Sequence, residues 1–122
     1  MKILVAVKRV IDYNVQIRDQ EDGSGVHTDK GIHVKIDSYV EPLGIAKILK
    51  KIVEKEKPDM VFLGKQAIDD DCNQTGQMLA AMLNWPQATF SSKVNLKDKS
   101  LEIVREIDEG LETIEVNLPA VV

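Results

Sequence analysis

The sequence is poor in the residue types that build several common kinds of site. Its 122 residues include one cysteine, Cys72, so an internal disulfide is excluded and a reducing compartment is favoured. The two histidines, His27 and His33, do not have ligand spacing, so we expect no metal site of the zinc type. No apolar run approaches the ~20 residues of a membrane helix, and the N-terminal segment lacks the pattern of a signal peptide, so we expect no membrane insertion.

The charge balance does not indicate a basic surface that would bind a nucleic acid. Lysine and arginine number 16 against 20 acidic residues, which leaves a net charge of -4. One group of lysines is interleaved with glutamates and is interpreted as a solvated helix face. Its members are Lys50, Lys51, Lys55 and Lys57, with Glu54 and Glu56 among them. Hydrophobic residues make up 43%, enough for the core of one domain over residues 1–122.

Signatures of catalysis are also missing. The dinucleotide fingerprint Gly-x-Gly-x-x-Gly does not follow Val7, and Gly64-Lys65 lacks the glycine and hydroxyl residue of a phosphate loop. No Ser-His-Asp set is legible. We therefore predict no catalytic residue in this chain.

What is present predicts a βαβ unit. Residues 3–7 form a continuous apolar run, the pattern of a strand buried on both faces of a parallel sheet. A helix is predicted to begin at Pro42 and to end at Pro58, followed by a buried strand over residues 60–63. A second helix is predicted over about residues 73–83.

The remaining segments predict β structure. Residues 15–28 have the pattern of a small hairpin, and Ile32, Val34 and Ile36 alternate with polar residues like a half-buried strand. After Pro86 we predict strand-like segments at 88–90 and around Val94, a turn at 97–100, and strands at 101–107 and 111–118. The predicted fold class is α/β, a Rossmann-like and mainly parallel sheet with a β-rich, partly antiparallel C-terminal part.

The loop at residues 64–77 is the best candidate for a site, because it joins a buried strand to a helix N-terminus. Such a terminus attracts anions, and Gly76 would let a ligand approach the backbone closely. Asn73, Gln74, Thr75 and Gln77 can donate hydrogen bonds to phosphate oxygens or base edges.

The three aspartates Asp69, Asp70 and Asp71 leave several interpretations open. Carboxylates repel phosphate, so they suit ribose hydroxyls, a helix cap or a cation better. A helix cap with solvated neighbours explains them as well as a ligand does, and three consecutive carboxylates are poorly placed for one metal ion. Cys72 is interpreted as an unreactive lining residue, and Tyr13 could stack on a ring or pack on its own domain.

Taken together, several segments resemble the β subunit of the electron transfer flavoprotein family. The most specific is GKQAIDDDCNQTGQ at residues 64–77. The others occur in the same order as in the family: LVAVKRVIDY at 4–13, WPQ at 85–87, REID at 105–108, GLET at 110–113 and LPAVV at 118–122.

The resemblance implies a function and a set of contacts. It implies a heterodimer whose α subunit holds most of the FAD, while this chain buries a structural AMP. The complex would take electrons from acyl-CoA and related dehydrogenases to a membrane quinone oxidoreductase. Tyr13 would reach the flavin. The residues that would contact AMP are Ala6, Asp69, Asp70, Asp71, Cys72, Asn73, Gln74, Thr75, Gly76, Gln77, Met78, Leu79 and Ala80.

Two departures from the family pattern accompany the resemblance. A segment of strands and helices that the family has after Asp29 is absent, and the sequence ends at Val122, before the family's docking loop for dehydrogenases. One sheet face is therefore expected to be poorly covered. A bacterial cytoplasm or a mitochondrial matrix fits this family. The alternatives are a magnesium-dependent ATP-hydrolysing or adenylating enzyme of similar fold, and a non-functional fragment.

Overall fold

The fold is known from a computed structural model that describes residues 1–8, 32, 34–68 and 71–122. The elements in chain order are β1 (Ile3–Ala6), α1 (Pro42–Glu56), β2 (Met60–Leu63), α2 (Thr75–Leu83), β3 (Ser91–Leu96), β4 (Ser100–Ile107), β5 (Gly110–Asn117) and β6 (Ala120–Val121). This content confirms the α/β class. Neither α1 nor α2 has the length and apolarity needed to cross a membrane.

A parallel sheet holds the centre of the fold. Its strand order is β1-β2-β6, and β1 pairs with β2 in the register Ile3 with Met60 through Ala6 with Leu63. The predicted βαβ unit is thereby confirmed. Strand β6 was not predicted, because two residues are too short to show a period.

Helix α1 begins and ends at the two prolines from which its bounds are predicted. Pro42 occupies the first turn, where its missing N–H costs nothing. Lys57 adopts the left-handed conformation and donates its N–H to the carbonyl of Val53, so the last turn closes just before Pro58. The predicted stop at Pro58 is confirmed.

The C-terminal part is an antiparallel meander in the order β3-β4-β5, as expected. The prediction of a strand at residues 88–90 is wrong. Gln87 makes an isolated bridge to Val121, and Thr89 and Phe90 form a turn in which Phe90 has φ 58°. A left-handed residue cannot continue an extended strand, so tertiary structure overrides the strand propensity of this segment.

Two hydrophobic clusters lie on opposite faces of the parallel sheet. On one face Val61 and Val121 pack with Ala46 and Val53 of α1 and Leu79 of α2. The other face packs on the antiparallel meander, and that cluster contains Met60, Ala88, Leu101, Ile103, Val116 and Ala120. Side chains alternate along a strand, so β2 contributes residues to both clusters. The helices, the parallel sheet and the meander therefore form three layers.

Strand β1 corrects the expectation of burial on both faces. Ile3 and Val5 are in register with Met60 and Phe62 and therefore share their face, yet they are 43% and 62% exposed. The meander covers β2 and β6 on this face but does not extend over β1. The expectation that one sheet face is poorly covered is confirmed.

Three further predictions meet different outcomes. Ile32, Val34 and Ile36 are 52%, 44% and 39% exposed and are not in a strand, so the half-buried strand predicted there is wrong. The second helix begins at Thr75, two residues later than predicted, because Asn73 has φ 47° and cannot belong to a right-handed helix. The hairpin predicted at 15–28 lies outside the described residues.

The exposure of β1 predicts that Val5→Thr leaves the free energy of unfolding within about 0.5 kcal/mol of the parent chain. Threonine keeps the β-branched shape, and little apolar area is lost at a side chain that is 62% exposed. Because the substitution removes apolar surface, self-association measured by light scattering should fall.

The matched control is Val61→Thr on the neighbouring strand, where the same change places a hydroxyl at a fully buried position. Urea denaturation should show a loss of about 1–3 kcal/mol there. An equal loss for both variants would contradict the view that β1 is uncovered.

Candidate functional site

The carboxyl edge of the parallel sheet brings several predicted site residues together. Ala6 ends β1 and pairs with Leu63, which ends β2, so the candidate loop starts one strand away from Ala6. Helix α2 returns over the same edge. A Cβ placed on Gly76 would lie 3.7 Å from Leu63 Cδ1 and 3.9 Å from Val121 Cγ1. The first turn of α2 therefore rests on Leu63 and Val121, on the sheet face that carries Ala6.

The N-cap residue of α2 provides no side-chain cap. This residue is Gln74, which makes no capping hydrogen bond, and the first turn of the helix contains no acidic residue. Asp71 is thus not the N-cap residue, and Asp69 and Asp70, the other two aspartates considered for a cap, lie outside the described residues. An uncapped helix start leaves backbone N–H groups directed at an incoming acceptor, and the helix dipole favours an anion there.

The loop owes part of its composition to its backbone. Asp71 has φ 53° and Asn73 has φ 47°, and Asp71 donates its N–H to the carbonyl of Ala67 at 3.0 Å. Asparagine and aspartate tolerate the left-handed region better than other residues that carry a side chain. These residue types are thus explained by conformation, before any ligand is considered.

The remaining predicted residues divide by exposure. Cys72 and Gln74 are exposed, and Asn73, Thr75, Gly76, Gln77 and Met78 are half-buried. Leu79 and Ala80 are buried in the cluster between the helices and the sheet, so their side chains pack in the core. Asp69, Asp70 and Tyr13 lie outside the described residues. The assignment of all these residues to a nucleotide stays a prediction.

A second cluster near this edge was not predicted. Lys65 follows β2, and its ammonium lies 5.0 Å from the centre of the Phe90 ring, within cation–π distance. Phe90 is a bulky residue in the left-handed region, which is uncommon and strained. These two side chains line a cleft of about 230 Å³ with Glu106, Ile107 and Asp108. No sequence pattern indicates this contact, because it depends on the turn before β3.

Charged groups with shifted pKa values lie on other parts of the fold. Hydrogen bonds donated by Lys97 and by Asn95 lower the pKa of Glu102. The bond between Lys97 and Glu102 also raises the pKa of Lys97. A hydrogen bond from Lys2 lowers the pKa of Glu56 at the end of α1. Within the described ranges, no group of three or more potential ligands is arranged to hold a metal ion.

Comparison with known proteins finds a matching family model and several similar proteins. The family model described as electron transfer flavoprotein domain matches residues 16–122. The electron transfer flavoprotein subunit beta of Dictyostelium discoideum is 44% identical over 174 residues, covering 100% of this chain and 70% of that protein. The mitochondrial protein of the same name from Arabidopsis thaliana is 46% identical over 176 residues, and the human subunit beta is 41% identical over 178, both at the same coverage.

This chain belongs to the electron transfer flavoprotein family. The alignment with the Dictyostelium discoideum protein spans 174 positions, whereas the chain has 122 residues. At least 52 of those positions, the difference between the two numbers, therefore have no counterpart here. This agrees with the expectation that a segment is absent from within the chain.

The conformation of Asn73 generates a prediction that separates backbone from side chain. Asn73→Ala should lower the free energy of unfolding by about 1 kcal/mol, because alanine is disfavoured in the left-handed region. Asn73→Gly should be close to neutral, since glycine adopts this conformation freely. Urea denaturation of both variants measures the difference.

Asn84, which has φ 55° at the C-cap of α2, supplies the control pair Asn84→Ala and Asn84→Gly and should behave in the same way. If Asn73→Gly cost as much as Asn73→Ala, the side chain rather than the backbone would account for the effect.

Proposed function

We propose that this chain acts as the β subunit of a heterodimeric electron transfer flavoprotein, in which it binds AMP and helps to position the FAD held mainly by an α subunit. Membership in the family and relatives named subunit beta support this role. The observation that carries the nucleotide assignment is the N-terminus of α2, whose N-cap residue Gln74 makes no capping hydrogen bond, at the carboxyl edge of the parallel sheet.

The first turn of α2 suits a phosphate. Its backbone N–H groups, with the Thr75 hydroxyl and the Gln77 amide, supply donors, and no carboxylate in that turn opposes a negative charge. Gly76 lacks a side chain at the point where the backbone must be approached. The residues that are present therefore fit a nucleoside monophosphate.

The sheet edge beside α2 suits the rest of the nucleotide. Ala6 is a small residue on the face covered by the helices, one strand away from Leu63, and it is only half-buried. A sugar or base packed beside the first turn of α2 would contact this strand end. Asp71 is exposed and could accept hydrogen bonds from ribose hydroxyls.

The redox chemistry in this proposal belongs to the flavin and not to this chain. Tyr13 is proposed to lie next to the flavin. The complete complex would carry electrons from acyl-CoA and related dehydrogenases to a membrane quinone oxidoreductase. Relatives come from a bacterium and, by name, from mitochondria, and we place this chain in a bacterial cytoplasm, with the mitochondrial matrix as the alternative.

The substitution Gly76→Ala should affect the stability of the fold and the affinity for the nucleotide in opposite directions. A Cβ at this position meets Leu63 and Val121 at ordinary contact distances, and alanine favours a helix, so the free energy of unfolding should rise by about 0.5–1 kcal/mol. The same methyl group would obstruct a phosphate on the first turn. AMP affinity, measured by calorimetry on the complex with the α subunit, should fall about tenfold, which corresponds to about 1.4 kcal/mol.

The reverse exchange, Ala81→Gly at an exposed position of the same helix, is the matched control. It should lower stability by about 1 kcal/mol and leave AMP affinity unchanged. A Gly76→Ala variant that is stabilised and still binds AMP normally would remove the first turn of α2 from the site.

Ligand release provides a direct test of the AMP assignment. The chain is purified alone and together with an α subunit, each preparation is denatured, and the supernatant is analysed by mass spectrometry. We expect AMP in stoichiometric amount with the complex, and FAD only when the α subunit is present. Absence of AMP from both preparations would contradict the proposal, and magnesium-dependent ATP turnover lost in Asp71→Asn would support the alternative enzyme.

A further inference from the structure

Phe90 has a backbone conformation that the fold and the proposed function leave unexplained. Its φ is 58°, in the left-handed region that bulky residues avoid. Its ring is 38% exposed, although burial of a large apolar side chain would be favourable. Residues held in such conformations occur often at ligand sites, where the surrounding structure keeps them in place. The contact that this ring makes is therefore of functional interest.

The turn that carries Phe90 is fixed to two strands. The Glu106 N–H of β4 donates to the Phe90 carbonyl at 2.9 Å, and the Ser91 hydroxyl donates to the Ala88 carbonyl at 2.9 Å. The Ala88 N–H in turn donates to the carbonyl of Val121 in β6 at 2.9 Å. The position of the ring is thus set by the two sheets.

The ring contacts the side chain of Lys65. The Lys65 ammonium lies 5.0 Å from the centre of the Phe90 ring, within cation–π distance. Glu106 and Asp108 line the same cleft, yet across the described part of the chain Lys65 makes no ion pair. The ring, and not a carboxylate, therefore holds this ammonium.

Lys65 lies at the start of the candidate loop, where other contacts are few. Strand β2 ends at Leu63, and the described part of the loop makes its first backbone hydrogen bond at Ala67, whose carbonyl accepts the Asp71 N–H. Among the described residues, Lys65 and Gln66 make no hydrogen bond. The contact with the ring is thus the attachment that fixes the start of this loop.

We propose that Phe90 is a positioning residue for the nucleotide, because its ring holds Lys65 and thereby keeps the start of the candidate loop in place for AMP. This inference rests on the proposed function, in which AMP binds where the loop meets α2. A loop that is ordered before binding loses less conformational freedom when the ligand arrives. Because Phe90 directly precedes β3, the site would depend on the meander as well as on the helices.

Substitutions of Phe90 test the proposal by calorimetry of AMP binding to the complex with the α subunit. Phe90→Leu removes the ring and leaves a bulky apolar residue in the same turn, so AMP affinity should fall about twofold to fivefold. Phe90→Tyr keeps an aromatic ring and should bind AMP like the parent chain. Loss of affinity in Phe90→Leu without rescue in Phe90→Tyr would contradict a role for the ring.

A double-mutant cycle tests whether the ring acts through Lys65. Lys65→Met removes the ammonium and keeps an unbranched side chain. In that background the further change Phe90→Leu should leave AMP affinity within about 1.5-fold, since the contact has already been lost. An equal loss from Phe90→Leu in both backgrounds would show that Phe90 does not act through Lys65, and would overturn the proposal.

Nuclear magnetic resonance of the chain alone tests the contact without a nucleotide. The Cε protons of Lys65 should resonate upfield of those of the exposed Lys93, because the ring current of Phe90 shields them. The difference should disappear in Phe90→Leu and persist in Phe90→Tyr. Lys65 protons without this upfield shift in the parent chain would overturn the proposal.

Failure of this proposal is distinguishable from failure of the proposed function. A parent complex that binds no AMP would refute the proposed function itself, whatever the resonances of Lys65 show. A parent complex that binds AMP, with equal affinity in Phe90→Leu, would refute only the positioning role. A fall in the free energy of unfolding of Phe90→Leu with unchanged AMP affinity would likewise reduce Phe90 to a structural residue.

Discussion

The pairing of β2 between β1 and β6 is the interaction on which the rest of the structure depends. Its four residues serve two cores at once, with Val61 facing the helices and Met60 facing the meander. Both are almost completely buried, so this strand removes apolar area from water on both faces. It also sets the register of β1 and β6, and therefore decides where Ala6, Leu63 and Val121 meet the first turn of α2. The candidate site is a consequence of this pairing.

Elements that depend on local chemistry were predictable from the sequence. Pro42 and Pro58 enclose α1, and the apolar run at Met60–Leu63 is bounded by polar residues, so both have local signals. The antiparallel meander follows from two turns and alternating residues. The elements that were missed depend on distant partners. Strand β6 exists because it pairs with β2. Phe90 leaves the extended region in a turn, where its carbonyl accepts a hydrogen bond from the Glu106 N–H.

The candidate site divides in the same way. The sequence predicted that the candidate loop follows β2 and that a glycine lies in the first turn of the next helix, because strand, loop and helix follow one another in the chain. The sequence did not predict that Gln74 would be the N-cap residue and would make no capping hydrogen bond. Gln74 takes this position only because Asn73 turns left-handed before it. A sequence pattern does not state the sign of φ, so aspartates that suggest capping can serve the bend of the loop instead.

Strand β1 connects the uncovered face of the sheet to the candidate site. Its amino end is held firmly, since the Lys2 N–H donates to Asp59 at 2.6 Å and the Lys2 ammonium pairs with Glu56. Its carboxyl end pairs through Ala6 with Leu63, and Val5 beside it is mostly exposed. A nucleotide between Ala6 and α2, as proposed above, would add contacts at this end. Because a ligand that binds only the folded state stabilises it by an amount that rises with the logarithm of its concentration relative to Kd, the AMP of the proposed function would stabilise the folded chain.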